Sequence, residues 1–87
     1  MMGRQYAEII LGDDAVRDFV SRTFSQNHGR IPLDRLRADY SARFRLGIPV
    51  LEEEAVRQMP QSLGRGRIFY YPIENGIVSE EGFLRRG

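Results

Sequence analysis

The 87-residue sequence contains no cysteine and no lysine. Without cysteine there is no disulfide framework, no thiolate zinc site, no thiol nucleophile and no thiol redox centre. The 13 basic side chains are all arginines, and against 12 acidic residues they give a formal net charge of +1. A GC-rich genome favours arginine codons, and selection for the planar guanidinium, which lysine cannot imitate at phosphates and base faces, would have the same result. Composition leaves both explanations open.

Long apolar runs are also missing from the chain. No stretch approaches the roughly 20 residues needed to span a bilayer, and acidic residues at Asp13 and Asp14 come too early for a signal peptide. With 41% hydrophobic and 29% charged residues, the composition is globular. The length predicts one domain over residues 1–87, with a core at about 13–79 and loosely structured termini. We expect an intracellular protein, in the cytoplasm, nucleoid or nucleus, with no membrane partner.

Hydrophobic spacing predicts two well-defined helices in the first half of the chain. The first covers about residues 14–27, with Asp13 or Asp14 as its N-cap and Gly29 as its stop. The second begins at Pro32 and ends at Gly47. Its narrow apolar stripe is formed by Leu33, Leu36, Tyr40 and Phe44.

A third, shorter helix is predicted from Ile48-Pro49 to the neighbourhood of Pro60. Spacing of i, i+4 and i+8 gives it one apolar face, formed by Leu51, Ala55 and Met59. Three consecutive carboxylates fall in its first turn, where the helix dipole favours negative charge: Glu52, Glu53 and Glu54.

The last third of the chain favours β structure. A run of β-forming residues followed by Asn75-Gly76 predicts a hairpin over about residues 67–79, and Ile31 predicts a short strand that pairs with it. Residues 6–11 form either an edge strand or a lead-in to the first helix, and the tail after residue 79 shows no clear structure. Three helices followed by a β-hairpin wing predict an α+β fold of the winged helix-turn-helix class. The rival is a plain three-helix domain whose hairpin packs elsewhere.

A pattern in residues 29–63 carries a family resemblance. It reads Gly-x-Ile-Pro-Leu-x-x-Leu-x-x-x-Tyr-x-x-x-Phe, followed by Ile48-Pro49. It is similar to the LOTUS (OST-HTH) type of winged helix, which begins with Gly-Val/Ile-Pro-Leu, has a tyrosine four residues before an aromatic, and carries a hairpin wing. The Leu-Gly-Phe/Tyr turn usual before that family's third helix is absent here.

The Leu-x-x-x-Tyr helix also resembles the C-terminal winged helix of viral and plasmid primase-helicases, although the tryptophan usual after that tyrosine is missing. Both resemblances imply binding of nucleic acid or of a protein partner. Neither implies catalysis.

Local excesses of arginine predict where nucleic acid would bind. Five arginines between residues 30 and 48 face only Asp34 and Asp39, and two more stand before the hairpin. Phosphate contacts from them would give salt-sensitive, weakly sequence-selective binding to DNA or RNA, and a tyrosine beside them can stack an unpaired base. Solvated or paired arginines and a core tyrosine are the alternative. The predicted residues are Arg30, Arg35, Arg37, Arg43, Arg45, Arg57, Arg65, Arg67 and Tyr70.

The acidic third helix supports a second hypothesis. Three carboxylates repel a polyanion, so this helix is not expected to enter a DNA groove. They are explained by helix-start chemistry, or by docking of a basic partner. The alternative function is therefore a protein-interaction adaptor or a homodimerisation domain, docking through Glu52, Glu53 and Glu54 or through the hairpin edge.

Residues suited to catalysis or metal binding are scarce. His28 is the only histidine, and no cysteine or carboxylate pair stands at ligand spacing from it. The Gly-Arg-Gly-Arg stretch at residues 64–67 lacks the Lys-Ser/Thr of a phosphate-binding loop, and there is no nucleophile elbow. We expect no enzymatic activity, no cofactor and no metal.

Overall fold

A computed structural model describes residues 3–58 and 67–86. Helices and strands alternate along most of this part of the chain. In order they are β1 (Gln5–Ile10), α1 (Asp14–Gln26), β2 (Arg30–Pro32), α2 (Leu33–Phe44), β3 (Val50–Glu52), α3 (Glu53–Arg57), β4 (Ile68–Glu74), β5 (Ile77–Ser79) and β6 (Leu84–Arg86). None of these helices is long and apolar enough to cross a membrane.

The strands form one antiparallel sheet in the order β2-β5-β4-β1-β3. β4 is its centre and pairs with β1 along its length, from Gln5↔Ile73 to Ile10↔Ile68. β5 and β6 both pair with the same edge of β4. β6 pairs with its first half and β5 with its second half. β5 and β6 therefore follow one line along β4, separated by the turn at residues 80–83.

Hydrophobic residues cover both faces of this sheet. Because side chains alternate along a strand, Ala7 and Tyr71 face α1 and α2, whereas Tyr6 and Tyr70 face the other way. The larger cluster lies under α1 and α2 and includes Ile9, Leu11, Val16, Val20, Phe24, Ile31, Leu36, Tyr40, Ile48 and Val78. On the opposite face Val56 of α3 packs with the two tyrosines, flanked by half-buried Leu51, Ile68 and Leu84.

Several predicted elements are confirmed. α1 begins after Asp13, whose carboxylate accepts a hydrogen bond from the amide of Ala15, and ends before His28 and Gly29, both with positive φ. The hairpin turns at Asn75-Gly76, where both residues have positive φ, as a two-residue type I′ turn requires. Ile31 pairs with Val78 of the hairpin, and α2 contains the predicted apolar stripe.

The predicted winged helix-turn-helix is wrong. The third helix has only five residues and packs on the face of the sheet opposite α1 and α2, so within residues 3–58 and 67–86 no recognition helix lies beside them. Leu51, placed on that helix by its spacing, lies in β3 and pairs with Tyr6. Strand pairing with β1 overrides the helical spacing here, because it lets Val50 and Leu51 join a sheet. Met59 lies outside the described residues.

The expected loose termini are also wrong. Residues 5–10 form β1, which lies between β3 and β4 and contributes Ala7 and Ile9 to the larger cluster. The tail forms β6, whose Leu84 packs against the opposite face of the sheet. The ordered core therefore extends well beyond residues 13–79 at both ends. α2 in turn stops at Phe44 rather than at Gly47, because Arg45 takes a left-handed conformation.

Candidate nucleic-acid interface

An exposed aromatic ring lies beside arginines where β6 meets α1. Phe83 is 44% exposed, and its ring stacks on Phe69 of β4 with centroids 5.2 Å apart and planes inclined by 25°. Phe69 in turn stacks on Tyr71, at 6.2 Å and 22°. Phe69 and Tyr71 occupy alternate positions of β4 and therefore share the sheet face that carries α1. Phe83, the residue just before β6, stacks on Phe69 and so lies on that face as well.

Three arginines lie at this end of the sheet, one in α1, one in β6 and one just before β4. Arg85 pairs with Phe69 across the strands, and its guanidinium carbon lies 5.6 Å from the centre of the Phe69 ring. Arg17, in the first turn of α1, donates a 3.0 Å hydrogen bond to the carbonyl of Leu11. Arg67 precedes β4 opposite Leu11, whose amide donates to its carbonyl, and its side chain reaches Gly12. We call Arg17, Arg67, Phe69, Phe83 and Arg85 the aromatic–arginine patch.

The patch borders a pocket of about 370 Å³ between α1 and the sheet. Tyr71 forms part of its wall together with Ser21 and Glu80. Burial, reinforced by the negative charge of Glu80, raises the pKa of Tyr71 to about 12, so its hydroxyl stays protonated at neutral pH. The pocket thus offers flat apolar rings, a hydroxyl donor and cationic groups, with one carboxylate at its rim.

The arginines predicted on α2 are exposed but take different local roles. The Arg37 guanidinium donates hydrogen bonds of 3.2 and 3.0 Å to the Ile48 carbonyl and so fastens the segment after α2. Arg43 lies over the rings of Phe19 and Phe44, at 5.7 and 6.0 Å. The ion pairs between described residues are Arg22–Asp18 and Arg57–Glu53, so neither Asp34 nor Asp39 neutralises these arginines in that part of the chain.

The other predicted residues are scattered over the molecule. Arg30 lies on edge strand β2 and lines a different pocket with Arg4, and Arg57 pairs with Glu53 at 3.0 Å. Arg35 and Arg45 are exposed on α2 and at its C-cap. Arg65 lies outside the described residues. Of the predicted set, only Arg67 belongs to the patch.

Tyr70 is not available for base stacking. Its side chain is 0% exposed, and its hydroxyl donates a 3.0 Å hydrogen bond to Glu8 Oε2. Stacking of a base on Tyr70 would require its face of β4 to be open to solvent. In the fold both faces are covered near Tyr70, because α3 packs over the side away from α1. The exposed ring of this region is Phe83 instead.

Two of the three glutamates make contacts within the fold. Glu52 lies in β3 and accepts a hydrogen bond from the Gln5 amide, 3.0 Å long. Glu53 accepts one from the Tyr6 hydroxyl at 3.3 Å and pairs with Arg57. These contacts tie α3 to β1. Glu54 is exposed, and docking of a basic partner on these glutamates stays a prediction.

Sequence reasoning missed Arg17, Phe83 and Arg85. A basic residue in the first turn of a helix opposes the helix dipole, which signals that Arg17 has a specific contact. The tail sequence Phe-Leu-Arg-Arg has the alternation of a strand, with Phe83 and Arg85 on one face. That alternation is short, and it became informative only once β6 was placed beside β4.

No protein-family model, curated protein or solved structure matches the chain. The resemblances based on residues 29–63 therefore stay predictions.

Proposed function

We propose that the protein binds single-stranded nucleic acid through the aromatic–arginine patch. The observation that carries the proposal is the exposed ring of Phe83, which stacks on Phe69 at a pocket that Arg17 and Arg85 also line. An unpaired base presents a flat face that stacks on such a ring, and the flanking phosphates are attracted by guanidinium groups. A base inside a duplex is already stacked, so single strands are preferred.

Charge and burial support this patch over the α2 surface. Arg17 and Arg85 line the pocket together with one carboxylate, Glu80. Stacking of Phe83 on Phe69 holds the outer ring in place, so little side-chain freedom is lost when a base binds. The pocket beneath has a protonated Tyr71 hydroxyl that can donate to a base edge. The patch offers few groups that distinguish one base from another, so we expect weak sequence selectivity.

Fluorescence anisotropy with labelled ten-nucleotide RNA and DNA single strands, and with a DNA duplex, tests the proposal. We expect tighter binding to single strands than to the duplex, with affinity that falls as salt rises. Phe83→Ala removes the stacking platform and is expected to weaken binding roughly 5- to 150-fold, whereas Phe83→Tyr keeps it. Comparing RNA with DNA shows whether the ribose hydroxyl contributes.

Arginine variants separate the patch from general electrostatics. Arg17→Gln and Arg67→Gln are each expected to reduce the salt slope by about 0.7, the value for one lost phosphate contact on a single strand. Arg22→Gln is the matched control, because it removes the same charge from an exposed position of α1 that is paired with Asp18. Arg45→Gln tests the sequence-based prediction for α2. The proposal fails if no oligonucleotide binds in a salt-dependent way, or if folded Phe83→Ala binds like the wild type.

A further inference from the structure

A second concave surface lies on the other side of α1, beside the end of β1. This groove has a volume of about 580 Å³ and runs between the N-terminus of α1, the C-terminus of α2 and the segment before β3. Among the described residues, three large apolar side chains are exposed, and two of them line the groove: Ile10 at 55% and Leu46 at 54%. Val16 and Phe44 form its apolar wall on the side of α1 and α2.

The backbone of β1 is open toward this groove. The ladder between β1 and β3 ends at Ala7↔Val50, with one further bond of 2.9 Å from the Glu8 amide to the Pro49 carbonyl. The Leu11 amide bonds to the Arg67 carbonyl on the opposite side, toward β4. Hydrogen-bonding direction alternates along an antiparallel strand. The N–H and C=O of Ile10 therefore point into the groove, where β3 has already turned away.

The side chains of the described groove lining that are charged at neutral pH are both carboxylates, Glu8 and Asp13. Each is held by a hydrogen bond within the fold: Glu8 Oε2 accepts from the buried Tyr70 hydroxyl at 3.0 Å, and Asp13 Oδ1 accepts from the Ala15 amide at 2.8 Å. The Arg67 side chain reaches Gly12, at the α1 end of the groove, and offsets one of these two charges there. The groove is thus apolar and has a net negative charge, although the chain as a whole has more basic than acidic residues.

We propose that the groove binds an extended peptide segment of a partner protein, in which a basic residue stands between two apolar residues. The peptide adds as a strand beside Ile10, using the open backbone groups. Its basic side chain lies along Ile10 and reaches the Glu8 carboxylate, which is on the same sheet face. The neighbouring peptide residues point to the other face, where Phe44 and Leu46 receive them. The proposal is independent of nucleic-acid binding.

A designed peptide serves as the probe. It has the centre Thr-Val-Arg-Leu-Thr, flanked by Gly-Ser and carrying a fluorescent label, and it is titrated with the full chain. We expect saturable binding that weakens about tenfold when the central arginine is replaced by glutamate. Replacing the arginine by its Nα-methyl form, which lacks the amide hydrogen that faces the Ile10 carbonyl in an antiparallel pair, is expected to weaken binding if the backbone pairs as proposed. Amide chemical shifts should change at Ile10, Gly12 and Gly47.

Protein variants distinguish this site from the aromatic–arginine patch. Glu8→Gln keeps an acceptor for Tyr70 but removes the charge, and Leu46→Ala removes an exposed apolar contact; each should weaken peptide binding about three- to tenfold. Phe83→Ala is the control and should leave it unchanged, just as Leu46→Ala should leave oligonucleotide binding unchanged. Three results would each overturn the proposal. They are equal binding of the arginine and glutamate peptides, no saturable binding at millimolar peptide, and chemical-shift changes away from the groove. So would self-association of the protein that Leu46→Ala abolishes, because a second copy would then be the occupant.

Discussion

Replacing Phe24 by alanine is expected to lower the free energy of unfolding by about 3–5 kcal/mol. Phe24 is 0% exposed and lies in the last turn of α1, where its ring is 5.0 Å from that of Tyr71 in the central strand. The substitution leaves a cavity between α1 and the sheet. Small domains have total stabilities of about 5–15 kcal/mol, so this loss is at least a fifth of the total. Urea denaturation followed by circular dichroism measures the change.

Phe83→Ala is the matched control, since it removes the same side chain from the other side of Tyr71. The Phe83 ring contacts Phe69 and Tyr71 but is 44% exposed, so we expect a loss of about 1 kcal/mol. A similar loss for both variants would contradict the packing described here. A small loss for Phe83→Ala also ensures that its effect on oligonucleotide binding reflects the ring itself.

Alkaline pH is expected to destabilise the fold by about 2 kcal/mol through Tyr71. The phenol has an ordinary pKa of 10.0, and burial raises it to about 12 in the folded chain. The stabilisation is complete below pH 10.0, where both states are protonated. It is lost between pH 10.0 and about 12, because the unfolded chain releases the proton first. Burial also raises the pKa values of Tyr6 and Tyr40, which act in the same direction.

The absence of lysine and cysteine makes this measurement clean. Between about pH 9 and 12 tyrosines are the side chains that titrate, since arginine stays protonated. Ultraviolet absorbance of the phenolate gives the pKa values directly, and urea denaturation at several pH values gives the stability. Tyr71→Phe should flatten the decline in stability above pH 10.0. If the variant declined as steeply as the wild type, Tyr71 would not be the group responsible.

The sequence predicted the elements whose signals are local. Asp13 and Gly29 mark the ends of α1, and Asn75-Gly76 marks the hairpin turn, because capping and positive-φ residues act within a few positions. β1, β3 and β6 depend on partners far along the chain. Val50 and Leu51 fit a helical face as well as a strand, and only pairing with Tyr6 and Ala7 decides between them.

The candidate site was predictable only in part. The run Phe69-Tyr70-Tyr71 and the preceding Arg67 drew attention to β4, and Phe69 of that strand belongs to the proposed site. Alternation separates Tyr70 from its neighbours but cannot show that α3 covers its face as well. Phe83 could be assigned to the site only after β6 was placed beside β4. No short-range pattern in the sequence indicates that strand pairing.

The pairing of β1 with β4 also determines when the chain can fold. These two strands lie at opposite ends of the sequence, yet they form the most extensive ladder in the sheet. Most of the described chain lies between them, and closing so long a loop costs entropy before any contact is gained. We therefore expect slower folding than for a helical protein of this size. Deleting the first ten residues would remove a strand from between two others and leave β3 without its neighbour.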